Sequence, residues 1–220
     1  MKITRALPAL VLALTALAIA PVAVQADTVP LASGTGLEGL GSYTGSFSYD
    51  SAQELLTISL TNTSPVANGG YITAFAFNVP TDSSVSTVAF SSTDSDFSLL
   101  NGGIDAQPFG SFDLGAASTS SFQGGGNPTG GIAVGDSATF TFDLTGTALA
   151  GLTAADWLAA LSSGAQGAGA ETFLVRFRGF EDGGSDKVPP TKPVPEPGTL
   201  ALLGAGAVGL WAKLRRRAAL

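Results

Sequence analysis

The chain has 220 residues, 45% hydrophobic and only 12% charged, with 29 glycines, 12 prolines and a formal net charge of −7. It holds no cysteine and no histidine, which excludes disulfides, Ser-His-Asp and Cys-His nucleophile systems, and zinc sites built on imidazole or thiolate. Carboxylate chemistry stays open, as a paired-acid glycosidase or a hard-cation site.

Lys2 and Arg5 open the chain as a basic region, followed by an apolar stretch over residues 6–23. Val24-Gln25-Ala26 meets the small-x-small cleavage rule, with the cut between Ala26 and Asp27, so residues 1–26 read as a secretory signal peptide. Between residues 27 and 193 there are 16 acidic and 4 basic side chains, a net −12, with no Lys or Arg between Arg5 and Arg176. Such a surface repels phosphate backbones and argues against a nucleic-acid partner.

Residues 27–182 are expected to form one mainly β domain, an antiparallel sandwich with one short helix. Residues 41–49 start it, with Tyr43, Phe47 and Tyr49 at even spacing. Residues 54–62 alternate strictly, Leu56, Ile58 and Leu60 on one face and Thr57, Ser59 and Thr61 on the other. Residues 71–79 place Tyr71, Phe75, Phe77 and Val79 together, 85–90 are a weaker strand, and 104–114 hold a short one around Phe112. Residues 138–144 alternate most clearly, with Phe140, Phe142 and Leu144 inward, and residues 172–180 close the set with Phe173, Val175 and Phe177 inward. Turn chemistry separates these runs at Asn68-Gly69-Gly70, Asn101-Gly102-Gly103, 124–131 and Gly135-Asp136. One helix interrupts them: Thr153 and Asp156 form a capping box, Leu152 and Trp157 a hydrophobic staple, Leu158 and Leu161 extend the apolar stripe, and Gly164 is the stop.

Few stretches of the body carry chemistry. Asp94, Asp96 and Asp105 are the candidate oxygen ligands for Ca²⁺, but their spacing lacks the central Gly and terminal Glu of an EF-hand loop, and solvated acids are the plainer reading. No cofactor is expected. Arg176 and Arg178 share a strand face, available to an acidic sugar or, more simply, to this domain's own acids. The glycine-rich run 124–131 lacks the Lys-Ser/Thr end of a phosphate loop and reads as a long surface loop. Ten of the eighteen residues 81–98 are Ser or Thr, a candidate region for glycosylation. The formal sequon at Asn62 is discounted because it closes a strand and Pro65 follows.

Residues 183–198 read as an extended Gly/Pro-rich linker, ending in Pro195-Glu196-Pro197. Residues 199–220 are a transmembrane helix and basic tail: the apolar part is about 13 residues, roughly 20 Å long and short for a bilayer. Lys213, Arg215, Arg216 and Arg217 stop it on the cytoplasmic side. Pro-Glu-Pro, apolar helix and terminal Arg cluster together resemble the PEP-CTERM sorting signal of bacterial exported proteins. The resemblance covers about the last 24 residues and implies an exosortase partner, a membrane-embedded transpeptidase-like enzyme that cuts near Pro195-Glu196-Pro197. It implies a Gram-negative, exopolysaccharide-making host and a route from an inner-membrane intermediate to the cell surface or outside. The body also resembles uncharacterised exported PEP-CTERM proteins in its Phe-rich β layout and its closing Gly184-Ser185-Asp186-Lys187, a likeness that imports no activity.

The expected function is that of a non-enzymatic surface, extracellular-matrix or biofilm component with a structural or adhesive role, with glycosylation in view. The alternative is a carbohydrate-binding module, with or without Ca²⁺, acting on exopolysaccharide. A carboxylate-based glycoside hydrolase is the third reading.

Overall fold

The computed structural model describes residues 26–191. Its strands form two antiparallel five-stranded sheets. Across its width the first runs β1 (Asp27–Ala32), β2 (Tyr43–Asp50), β3 (Leu55–Asn62), β8 (Ser137–Thr147) and β5 (Ser84–Ser92). The second runs β10 (Ser185–Val188), β9 (Phe173–Phe180), β4 (Gly69–Phe77), β7 (Ser111–Ala117) and β6 (Ser98–Asp105).

The period-2 pattern builds the interface between them. On β3, Leu56, Ile58 and Leu60 are fully buried, and register places Leu56 between Tyr49 and Phe142, and Ile58 between Phe47 and Phe140. Rings from the second sheet close over these rows. Phe75 lies 4.6 Å from Phe140, and Phe77 lies 5.3 Å from Phe142 and 5.6 Å from Phe47, in tilted and edge-on geometries. Each fully buried side chain of this size contributes about 1.5–3 kcal/mol by leaving water, and edge-on ring pairs add about 0.5–1.5 kcal/mol. With no disulfide available, this aromatic layer is what holds the sheets together.

The second sheet is covered on its other face too. Ala74, Ala76 and Leu174 point away from the main core, and their small size lets Phe109, Phe112 and Phe122 pack into a second apolar cluster. This explains the continuous burial along β4, which reads differently from a half-exposed strand. It also corrects the placement of Tyr71. A bulge between Ile72 and Ala74 turns Ile72 inward with Phe75 and Phe77 and leaves Tyr71 opposite Arg178.

Three other expectations change. Asn101-Gly102-Gly103 is a bulge inside β6, not a turn: Gly102 and Gly103 have φ of +76° and +60°, a conformation natural to glycine, and the register shifts between Asn101 and Ile104. The expected helix shrinks to one turn, α1 (Ala154–Trp157). Its capping box forms as expected, but Ser162 N–H donates to Glu171 O and Ser163 pairs with Ser111, so the chain beyond Trp157 is drawn into extended bonding and Leu161 is left 62% exposed. The linker does not begin at residue 183: Asp182 and Gly183 turn the chain back into β10, which pairs with β9, and Val188 is fully buried. Residues 1–25 of the expected signal peptide (1–26), Pro195, Glu196, Pro197, the expected apolar segment and the stop residues Lys213, Arg215, Arg216 and Arg217 lie outside the described residues. Among the described residues no helix is long and apolar enough to cross a membrane.

Candidate functional site

The candidate cation ligands separate along one strand. Asp94 and Asp96 occupy the turn before β6, where Asp94 Oδ1 accepts from the Asp96 N–H at 3.1 Å. Asp105 ends β6, accepting from the Gln107 N–H at 3.2 Å. An eight-residue strand stands between the two groups, roughly 25 Å at about 3.3 Å per residue, and no cluster of three acids that could hold a metal occurs among the described residues. The structure does not bring Asp105 to Asp94 and Asp96.

The described basic side chains gather on the outer face of the second sheet. Lys187 on β10 faces Arg176 on β9, and Arg178 follows two residues on. Their donors go to main-chain carbonyls rather than to the carboxylates expected. Arg176 Nη1 bonds Phe122 O, Arg178 Nη1 bonds Gly124 O at 3.0 Å, and Lys187 Nζ bonds Gln107 O. Burial, then the neighbouring Arg178, lowers the pKa of Arg176, while burial and Arg176 lower that of Lys187 against an opposing pull from Asp105. The reason is the loop. Residues 118–131 lie against this face, with Ile132 bonded both ways to Ile72, so the glycine-rich run is pinned to the sheet. The three cations are fasteners for the loops that cover the second core.

Sequence reasoning missed Asp186. Its carboxylate is 2% exposed and accepts from the backbone N–H groups of Glu38 (3.1 Å), Leu40 (2.9 Å), Gly41 (3.2 Å) and Lys187 (2.8 Å). A Cβ on Gly36 would fall 2.4 Å from that carboxylate, so the 34–41 loop can wrap it only because position 36 is glycine. The readable signal was Asp182-Gly183, a hairpin dipeptide followed by the alternating Ser185-Asp186-Lys187-Val188. Just beyond, Gly34 N–H donates to Pro189 O and Thr191 N–H to Ala32 O, both at 2.8 Å. At the other end of β1, Asp27 pairs with Tyr49 and its Oδ2 accepts from the Ala154 N–H at 3.1 Å. The first residue after the proposed cut is thus part of the fold, and Ala26 is exposed beside it.

Asn62 is fully buried, its amide nitrogen donating to Gly70 O (3.1 Å) and Ile132 O (2.9 Å), so its side chain works as a strut rather than a glycan acceptor. Aromatic platforms are equally scarce. Tyr43, Tyr49 and Trp157 are buried, and the large hydrophobic side chains standing exposed among the described residues are Leu37, Val66 and Leu161.

The body thus offers fasteners and struts, and Thr191, the last described residue, is followed in sequence by Lys192-Pro193-Val194-Pro195-Glu196-Pro197. Compared with known families, residues 193–217 match the PEP-CTERM protein-sorting motif. The chain carries a PEP-CTERM sorting motif. This motif marks an exported protein that an exosortase sorts through the membrane to the cell surface. No curated protein and no solved structure matches the chain. The expected likeness of the body to exported PEP-CTERM proteins is unsupported, since the matched motif lies outside the body.

Proposed function

We propose that the sandwich is cargo: a non-enzymatic structural or adhesive component of the cell surface, matrix or biofilm. The observation that supports this best is the way the body spends its functional groups. Its large aromatic rings fill the core, its described cations bind loop carbonyls and Asp186, the more deeply buried of its two buried carboxylates, accepts four main-chain N–H groups. On this reading the chain is held in the inner membrane by residues 199–220 and is then cut near Pro195-Glu196-Pro197. Exposed hydroxyls of residues 81–98 are the proposed glycan acceptors. Fractionation and intact-mass measurement in cells with and without the exosortase test it. Deletion should retain full-length chain in the membrane fraction, while extracellular protein that still contained Leu220 would sink the release step, and an unmodified mass would remove the glycans.

A second reading, a module for neutral exopolysaccharide, is favoured by the outer face of the first sheet. Register aligns Thr28, Ser48, Thr57, Thr141 and Ser91 in one row across all five strands. Ser46, Ser59 and Thr139 form part of the next row, so a flat, uncharged field of hydroxyls stands on an acidic body. Pull-down of the protein on uncharged polysaccharide, reduced by Thr57→Val with Thr141→Val, would support this reading. Equal retention of both proteins would leave the structural role alone.

A further inference from the structure

The outer edges of the two sheets are not closed alike. β1 carries Pro30 and is met by Thr191, whose N–H donates to Ala32 O, while β10 is met by the Leu37 N–H at Lys187 O. β6 is broken by its Gly102-Gly103 bulge, which interrupts the row of free groups a partner strand would need. β5 lacks these protections. It has no charged residue and no proline, and its bulge between Val85 and Thr87 leaves residues 87–92 regular. Thr93 N–H donates to Thr139 O on β8, and strand alternation turns the main chain of Ser91 and Ala89 the same way. Val88, Phe90 and Ser92 therefore aim their N–H and C=O groups off the sheet. Among the described residues no main-chain hydrogen bond reaches them from that side. The half-buried Phe90 ring, 5.1 Å from Phe142, ends the aromatic layer at this edge.

Charge decides what this edge fits. Two copies of a body of net −12 repel each other over most of their surface, but at β5 they meet only main chain and small neutral side chains. We propose that two copies join β5 to β5 in antiparallel sense about a two-fold axis at Phe90, fusing their first sheets into one. Val88 then pairs with Ser92 of the second copy and Phe90 with Phe90, each pair exchanging both main-chain bonds. The two Phe90 rings, on the core side, carry the aromatic layer across the join. On the outer face Ala89 stands opposite Ser91, and Thr87 opposite Thr93, so the hydroxyl rows run on through the dimer. Asp94 sets the sense. Parallel strands would place Asp94 beside Asp94, whereas this register places it opposite Ser86. The two Asp94 carboxylates are then roughly 27 Å apart, well beyond a Debye length of about 10 Å at 0.1 M salt. Such an isologous contact uses both edges and closes as a dimer rather than a filament. It stands independently of the cargo role and adds to it a unit of assembly.

The chain has no cysteine, so single introduced cysteines report the register. Full-length Ala89→Cys and full-length Ser91→Cys proteins, both changed at exposed positions, would be purified in detergent, mixed, oxidised and followed on non-reducing gels. Across the join these two residues form a non-hydrogen-bonded pair with Cα atoms about 4.5 Å apart, inside the range of about 4.4–6.8 Å that a disulfide needs. Either variant alone sets its thiols on the diagonal, about 7–8 Å apart. The mixture should therefore form disulfide-linked dimers at least tenfold faster than either variant alone. It should equally outpace Thr28→Cys mixed with Ser91→Cys, which reports pairing of β5 with the edge strand β1. A charge test on the same positions reads the dimer by sedimentation. Ala89→Lys with Ser91→Lys places like charges opposite each other and should abolish the dimer, whereas Ala89→Lys with Ser91→Glu places opposite charges there and should keep it. Equal cross-linking in all mixtures overturns the proposal, as does a dimer that the lysine pair leaves unchanged. Fastest cross-linking of Ala89→Cys alone would overturn the register centred on Phe90.

Discussion

At the scale of single residues, Asp186 has the largest structural consequence for its size. One carboxylate satisfies three N–H groups of the 34–41 loop, which have no strand partner of their own. Asp186→Ala strands those donors and should cost about 3 kcal/mol, since each buried donor left unpaired costs about 1–3 kcal/mol and some will find water. Urea unfolding at constant m-value measures the loss, and a change under about 0.5 kcal/mol would show that the loop holds without it. Tyr49 carries a pH signature. Burial first, then Glu54 and Asp50, push its hydroxyl up to about 12, and burial with the charge of Glu171 drives Tyr43 upward as well. The neutral form is the one the fold accepts. Stability is therefore full below the unfolded value near pH 10 and falls as pH rises from about 10 towards about 12. Thermal melts between pH 9 and pH 12 should show the fall, and Tyr49→Phe should flatten part of it.

At the scale of elements, β10 and α1 show how short pieces become fixed. β10 has four residues, yet it covers the edge of β9, supplies Asp186 and buries Val188. Ending the body after Asp182 should abolish a cooperative melt, whereas ending it after Thr191 should keep one with a β-dominated circular dichroism spectrum. Equal behaviour of the two truncations would show that β10 is dispensable. α1 is a single turn, too short to persist alone. Its capping box and Trp157 packed 5.4 Å from Tyr49 and 6.1 Å from Phe77 hold it. Thr153→Ala should cost about 1 kcal/mol, read from Trp157 fluorescence, because this is the one tryptophan of the body.

At the scale of the whole molecule, charge distribution is the governing property. A body of −12 whose described cations all sit on one face repels itself elsewhere, and salt should raise its melting temperature by screening, with a Debye length of about 10 Å at 0.1 M. Ca²⁺ and Na⁺ at matched ionic strength should act alike, because Asp94 and Asp96 lie a strand's length from Asp105. A gain of several degrees at sub-millimolar Ca²⁺, lost in Asp94→Asn with Asp96→Asn, would reveal a cation site after all. The same distribution bears on assembly. The first sheet presents rows of hydroxyls and the second a loop-covered face, so neutral contacts are available where charged ones would repel.

What the sequence determined by itself was whatever depends on neighbours in the chain. The sorting motif is a pattern of residues contiguous in the chain, so Pro195-Glu196-Pro197, the apolar run and Arg215 to Arg217 state it without a fold. Period-2 alternation likewise assigned Leu56, Ile58, Phe140, Phe142, Phe173 and Phe177 to the core, because a strand's pleat alone sets which side chains share a face. The α1 capping box, closed within four residues, was legible for the same reason. Tertiary structure decided what depends on distant partners. The bulge that turns Ile72 inward is set by β9, the loops over the second core by Arg176, Arg178 and Lys187, and the inclusion of residues 183–191 by pairing with a strand and a loop far earlier in the chain. Asp186 looks like a solvated linker acid until the 34–41 loop, more than 140 residues away in sequence, closes over it, and only long-range packing brings that loop there.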